Sequence, residues 1–133
     1  MKKIKVFIER STYGFSAYME DNDLNYSCIG EGKSVHETID DFNKSYAEMR
    51  AFFNENNLSF QEIDLEFYYD TASFLDEYAK VFSLAGLERI TGINQTQLGH
   101  YLHNRSKPSR RTIEKMEMGI RKFADNLVAI KFA

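Results

Sequence analysis

Thr91-Gly92-Ile93-Asn94-Gln95-Thr96-Gln97-Leu98, continuing to Lys107-Pro108-Ser109, is the stretch on which the reading of this chain turns. Gly92 permits a tight turn, because glycine enters left-handed backbone without a steric penalty. Asn94 is a good N-cap, its short side chain accepting from amides that a first helical turn leaves unpaired. Ile93 and Leu98 supply apolar anchors on either side of the cap. The segment therefore predicts the turn and second helix of a helix-turn-helix, with that helix running from Asn94 to about His103 and Leu98, Tyr101 and Leu102 available for the core.

The flanking sequence has helical periodicity. Phe74, Tyr78 and Val81–Phe82 mark one helix, and Ser83 caps the next, with Leu84, Leu87 and Ile90 inward. Pro108 precedes or begins a further helix, from Thr112 to about Leu127, carrying Ile113, Met116, Ile120, Phe123 and Leu127. The tail Val128-Ala129-Ile130-Lys131-Phe132 alternates as a strand would.

Before Thr71 the period is different. Ile4, Val6 and Ile8 alternate with polar neighbours and predict a first strand. Tyr13-Gly14 turns the chain into a second, Phe15–Met19, and the polar cluster Glu20–Asp23 separates it from a third, Tyr26–Gly30, ended by Gly30 and Gly32. Ser34-Val35-His36-Glu37 has the capping-box form S-x-x-E. The stripe Val35, Ile39, Phe42, Tyr46, Met49 and Phe53 then demands a long amphipathic helix, stopped by Asn54, Asn56 and Asn57. Ile63, Leu65, Phe67 and Tyr69 give a fourth strand. The expected fold class is α+β: an N-terminal β-β-β-α-β domain over residues 1–70, an antiparallel sheet with one long helix, followed by an all-α domain over residues 71–133.

With 133 residues, 43% of them hydrophobic, the chain can fill a core and is not of disordered composition. It has no run of about 18 apolar residues and no signal-peptide pattern, and Cys28 is its only cysteine; a cytoplasmic protein without membrane segments, disulfides or thiolate metal clusters is expected. The charge is unevenly spread. Residues 1–70 hold seven Lys/Arg against fourteen Asp/Glu, a balance of −7, whereas residues 71–133 hold ten against six, a balance of +4. Two halves of opposite sign predict different partners for each.

The basic half carries the candidate DNA-binding residues. On the second helix these are Asn94, Gln95, Thr96, Gln97, Gly99 and His100, with Gln95, Thr96 and His100 expected to face outward. Gln pairs bidentately with adenine, and Thr bonds base edges or touches a thymine methyl. Asn94 is expected to leave the next amides, and their partial positive charge, at the groove end. Asn104, Arg105, Lys107, Arg110 and Arg111 follow, with cations suited to phosphate contacts. Asp21, Asp23, Asp40, Asp41 and Asp70 were they clustered would make a two-metal nuclease centre, but their places in a turn and on a helix's polar side argue against catalysis. His100 and His103 lie one helical turn apart without a third ligand, so no metal or other cofactor is expected. The aromatic run Phe67-Tyr68-Tyr69 with Phe74 reads as core rather than as a platform for bases.

Gly92, Ile93, Asn94, Leu98, Arg105, Lys107, Pro108 and Ser109 resemble the Cro/phage-repressor helix-turn-helix family, whose pattern is G-hydrophobic-S/N-x-x-x-hydrophobic followed by a basic loop and P-S. The resemblance spans residues 74–127. Glu88 departs from it, standing where the family often places a small Ala, although Ala85 and Gly86 offer close helix contact from a shifted register. Ser27-Cys28-Ile29-Gly30-Glu31-Gly32-Lys33-Ser34, with Glu37 and the long helix, resembles the N-terminal domain of HicB-type antitoxins; Asp21-Asn22-Asp23-Leu24 departs from that family's usual approach to its third strand. The resemblance implies a non-enzymatic antitoxin. Its first domain would bind and block a small basic mRNA-cleaving toxin, and its second would repress the shared operon as a homodimer or higher oligomer on operator DNA. The alternative is a helix-turn-helix regulator whose N-terminal domain senses a ligand or another protein.

Overall fold

Alternation along the first strand buries Ile4, Val6 and Ile8 and turns Lys3, Lys5 and Phe7 the other way. In the computed structural model, which describes residues 1–133, this strand is β1 (Lys2–Ser11); β2 (Gly14–Met19), β3 (Ile29–Gly32) and β4 (Ile63–Tyr69) join it in one sheet of order β3-β2-β1-β4. Contact between residues divides the chain into two units, Met1–Asp70 and Thr71–Ala133.

In the first unit, β1, β2 and β3 form the expected antiparallel meander, but β4 pairs with β1 in parallel, from Lys2↔Ile63 to Ile8↔Tyr69. The sheet is therefore mixed rather than antiparallel. The cause is α1 (Val35–Glu55), which carries the chain back over β2 and β1 so that β4 runs in the same direction as β3. Its capping box forms: the Glu37 amide donates to Ser34 Oγ at 3.1 Å, while Glu37 Oε2 accepts from Lys33 N at 2.8 Å, one residue before the cap. Phe42, Tyr46 and Phe53 of the predicted stripe are buried against Ile4, Val6, Ile8, Phe15, Ala17, Met19 and Ile63, with Val35, Ile39 and Met49 packed around them. Phe67 and Tyr69 also pack on this core, whereas Tyr68 points to the opposite face, so the aromatic run is only partly core.

The third strand begins later than its alternation indicates. Tyr26 and Cys28 are buried, yet the ladder starts at Ile29. The Cys28 amide donates to Met19 Sδ at 3.3 Å, and Tyr26 stacks on Phe60 with ring centroids 4.6 Å apart. Gly30 does not end the strand, which runs on to Gly32 and stops there; both glycines stand where α1 lies against the strand. A Cβ on Gly30 would stand 2.6 Å from Thr38 O and 2.7 Å from Phe42 N, both backbone atoms.

The second unit contains α2 (Thr71–Tyr78), α3 (Leu84–Thr91), α4 (Gln95–Leu102) and α5 (Arg110–Val128). Leu75, Leu87, Ile93, Leu98, Tyr101 and Met116 form its core. The first of these helices stops at Tyr78 rather than Phe82, residues 79–82 forming a turn from which Phe82 still reaches the core. The last starts at Arg110, two residues early, because Ser109 caps it by accepting from Thr112 N at 3.2 Å. The tail is not a strand: Val128 ends α5, and the Ala129 and Ile130 amides still donate backwards, to Asp125 O and Leu127 O.

Gly30→Ala forces the α1 backbone away from β3 and is expected to destabilise the first unit by about 1–3 kcal/mol, measured by urea unfolding, while Ala at the exposed Ser27 leaves stability unchanged.

Candidate nucleic-acid interface

The turn between α3 and α4 is built by hydrogen bonds that start inside α3. Thr91 is buried; its hydroxyl donates to Leu87 O at 2.7 Å and accepts from Ile93 N at 3.1 Å. Gly92 adopts the left-handed conformation with φ 74°, and its amide donates to Glu88 O at 2.7 Å. Lys115 of α5 donates from Nζ to Gly92 O at 3.2 Å, so the turn is held from a third helix as well. Ile93 then enters the core and Asn94 opens α4, its Oδ1 accepting from Thr96 N at 2.8 Å.

Glu88, which departs from the family pattern, has a role in the same cap. Its Oε1 accepts from Gln95 N at 2.8 Å. The first amides of α4 are thus occupied by Glu88 and Asn94, and the expectation that they stand open at the helix end is corrected. Ala85–Gly86 does not supply the close helix contact either. The backbone-distance approach in this unit is a different one, between α3 and α5: a Cβ on Gly119 would lie 2.3 Å from Ile90 O, so α5 crosses the end of α3.

The expected contact residues separate into groups. Asn94, Gln95 and Thr96 are exposed on the first turn of α4. Gln97 and His100 are half-buried, and Gln97 Nε2 reaches Ser106 Oγ at 3.5 Å, which draws the following loop beside the helix. Gly99 is half-buried and its side-chain position faces Leu84 of α3, so it lies on the packing side. Asn104 has φ 56°; its amide donates to Tyr101 O and that of Arg105 to His100 O, the bond pattern that closes a helix C-terminus through a left-handed residue. Its place in the structure is as a terminator of α4. An Asn directly after the last core turn is the sequence signal for this.

Arg105, Lys107, Arg110 and Arg111 are all exposed. Arg110 pairs with Glu114 at 3.3 Å along the helix. Arg110 and Arg111 occupy the first turn of α5, where the helix dipole disfavours cations by about 0.3–1 kcal/mol each. Local rules are broken in this way where another demand outweighs them. Three of the five aspartates considered for metal chemistry are used structurally: Asp23 pairs with Lys2, Asp40 with His36 at 3.3 Å, and Asp41 accepts from Glu31 N at 2.9 Å. No three His, Cys, Asp or Glu converge to hold a metal ion, and no helix is long and apolar enough to cross a membrane. Comparison of the chain with protein-family models, curated proteins and solved structures gives no significant match.

Glu88→Ala removes one of the two caps of α4 and is expected to cost about 0.5–2 kcal/mol, with Glu88→Gln keeping an acceptor and most of the stability in the same thermal unfolding series. Gly99→Ala places a methyl 3.9 Å from Leu84 Cδ1, an ordinary contact, and is expected to stabilise the helical unit by about 0.5–1 kcal/mol; a loss instead would mean that Gly99 is needed for close approach.

Proposed function

We propose that this protein is a non-enzymatic antitoxin and autorepressor, with an acidic unit that neutralises a small basic mRNA-cleaving toxin and a basic unit that binds operator DNA. The observation that carries the DNA-binding half is the α3–α4 turn itself. It presents the first turn of a short capped helix, with Asn94, Gln95 and Thr96 exposed, beside a loop rich in unburied cations. Read as a helix-turn-helix, α4 enters the major groove, Gln95 and Thr96 meet base edges, and Arg105, Lys107 and Arg111 contact phosphates. One helix of eight residues reads few bases, so two copies act as a two-fold pair on a two-fold operator.

The toxin-binding half is supported by the acidity of residues 1–70 and by the sequence resemblance of the 27–37 segment and its helix. Seven net negative charges favour encounter with a basic, RNA-binding protein. Cover of that protein's active surface then stops cleavage by steric exclusion, without chemistry on the part of this chain.

With DNA from immediately upstream of the coding region, Gln95→Ala is expected to cost about 1–3 kcal/mol at one base position and relax preference there, while Arg111→Ala weakens binding to all sequences and lowers the salt slope by about 1. Equal binding by wild type and both variants sinks the assignment of α4. Co-expression with a neighbouring reading frame for a small basic protein containing a catalytic His should yield a co-purifying complex with suppressed RNA cleavage.

A further inference from the structure

The sheet of the first unit has one face under α1; the strand register determines what the other face carries. Ile29 of β3 is paired with Tyr18 of β2, Tyr18 with Phe7 of β1, and Phe7 with Tyr68 of β4. These four side chains form a single row across every strand. The rings adjoin, with centroids 5.8 Å apart for Phe7–Tyr18 and 6.5 Å for Phe7–Tyr68. Ile29 is 63% exposed, Tyr68 41% and Tyr18 39%. A solvated sheet face ordinarily alternates to polar residues, and the core on the α1 side is complete without this row. A continuous apolar stripe on the open face is the mark of a contact surface.

The charges around the row identify the occupant's chemistry. Glu9 lies next to it on β1 and accepts from Tyr18 Oη at 2.6 Å, a bond that pushes the Tyr18 phenol up to about 12 and keeps it a neutral donor. Glu66 of β4 accepts from Tyr68 Oη at 3.1 Å and from Lys3 Nζ at 3.0 Å. Strand alternation puts Glu31 and Asp64 on the same face. Against these four carboxylates stand two lysines: Lys3 is held by Glu66, and Lys5 Nζ lies 5.2 Å from the Tyr68 ring centroid. The row is thus flanked by a surplus of acceptors, two of them oriented by tyrosine hydroxyls.

We propose that this open sheet face docks a basic protein surface, whose arginines lie flat on the Tyr18, Phe7 and Tyr68 rings and pair with Glu9 and Glu66 while adjacent apolar side chains cover Ile29. Arginine combines the two contacts that the face offers, stacking on an aromatic ring and bidentate bonding to a carboxylate. Aromatic rows also stack bases, but a phosphate backbone here would run along carboxylates. A second copy would bring two acidic units of −7 together. That the physiological occupant is a toxin rests on the function proposed above; the chemistry of the surface does not.

The test is titration of the ¹⁵N-labelled full chain with three probes: a peptide alternating arginine with valine, the same peptide with glutamate for arginine, and single-stranded oligouridylate. The arginine peptide is expected to shift the amides of Phe7, Tyr18, Ile29 and Tyr68, and the other two probes to leave them in place. Replacing both Tyr18 and Tyr68 by Ser should weaken that binding at least tenfold. Glu9→Gln keeps the rings and an acceptor for Tyr18, so it tests the charge even if the tyrosine variant fails to fold; it should weaken binding several-fold and reduce its salt dependence. Shifts of the row by RNA, shifts that depend on protein concentration without a probe, an arginine peptide that leaves the row silent, or full affinity in Glu9→Gln would each overturn the proposal. None of these readouts involves DNA or RNA cleavage. Operator binding can therefore persist where the docking face fails, and the face can bind where the repressor reading fails.

Discussion

The helical unit depends on the left-handed backbone at Gly92. Gly92 reverses the chain after α3, donates its amide to Glu88 O of that helix and accepts on its carbonyl from Lys115 of α5, so α3 and α5 are tied to the point where the chain turns into α4. Thr91 and Ile93 on either side are buried, which converts the turn from a loop into part of the core. A side chain at Gly92 would meet both an unfavourable φ and Lys115 Cε at 3.1 Å. The direction of α4, and with it every exposed residue on its first turn, follows from that geometry rather than from the sequence of α4.

In the first unit the corresponding constraint is close approach rather than chain reversal. β3 is only four residues long and lies against α1 backbone to backbone at Gly30 and Gly32. Phe42 can then reach the middle of the sheet and meet Phe67 edge-on at 5.6 Å. With α1 committed to one face, nothing within the unit's own core covers the other, and the Ile29–Tyr18–Phe7–Tyr68 row follows from the strand register alone.

Much of this was legible from periodicity and caps. The amphipathic stripe of α1, its Ser34–Glu37 start, the alternation of β1 and β4, the Asn94 cap and the change of period at Thr71 all appear in the structure because each is decided by neighbours within a turn or a strand. What escaped the sequence depends on distant partners. Gly32 does end β3, but Gly30 looks like an earlier terminator until α1 is seen against it. Tyr26 and Cys28 alternate as a strand does, yet a methionine sulfur and a stacked ring take the place of a ladder. Gly99 on α4 faces Leu84, and Glu88, an apparent misfit, caps the helix after its own. The parallel placement of β4 could not be read from its alternation, which is the same for either direction.

That parallel pairing has a consequence for the order in which the first unit is assembled during synthesis. β1 is an inner strand, but its second neighbour is the last element of the unit, joined to it by Lys2↔Ile63 and Ile8↔Tyr69. The β1–β2 hairpin is local and able to form early, whereas completion of the sheet waits for a contact about sixty residues away, of the kind that slows folding. Until β4 emerges, the nascent chain carries one unpaired edge of β1, lined by Lys3 and Lys5 on its open face. Charged side chains of this type discourage edge-to-edge association between chains, so Lys3 and Lys5 protect the unfinished sheet until β4 pairs with β1.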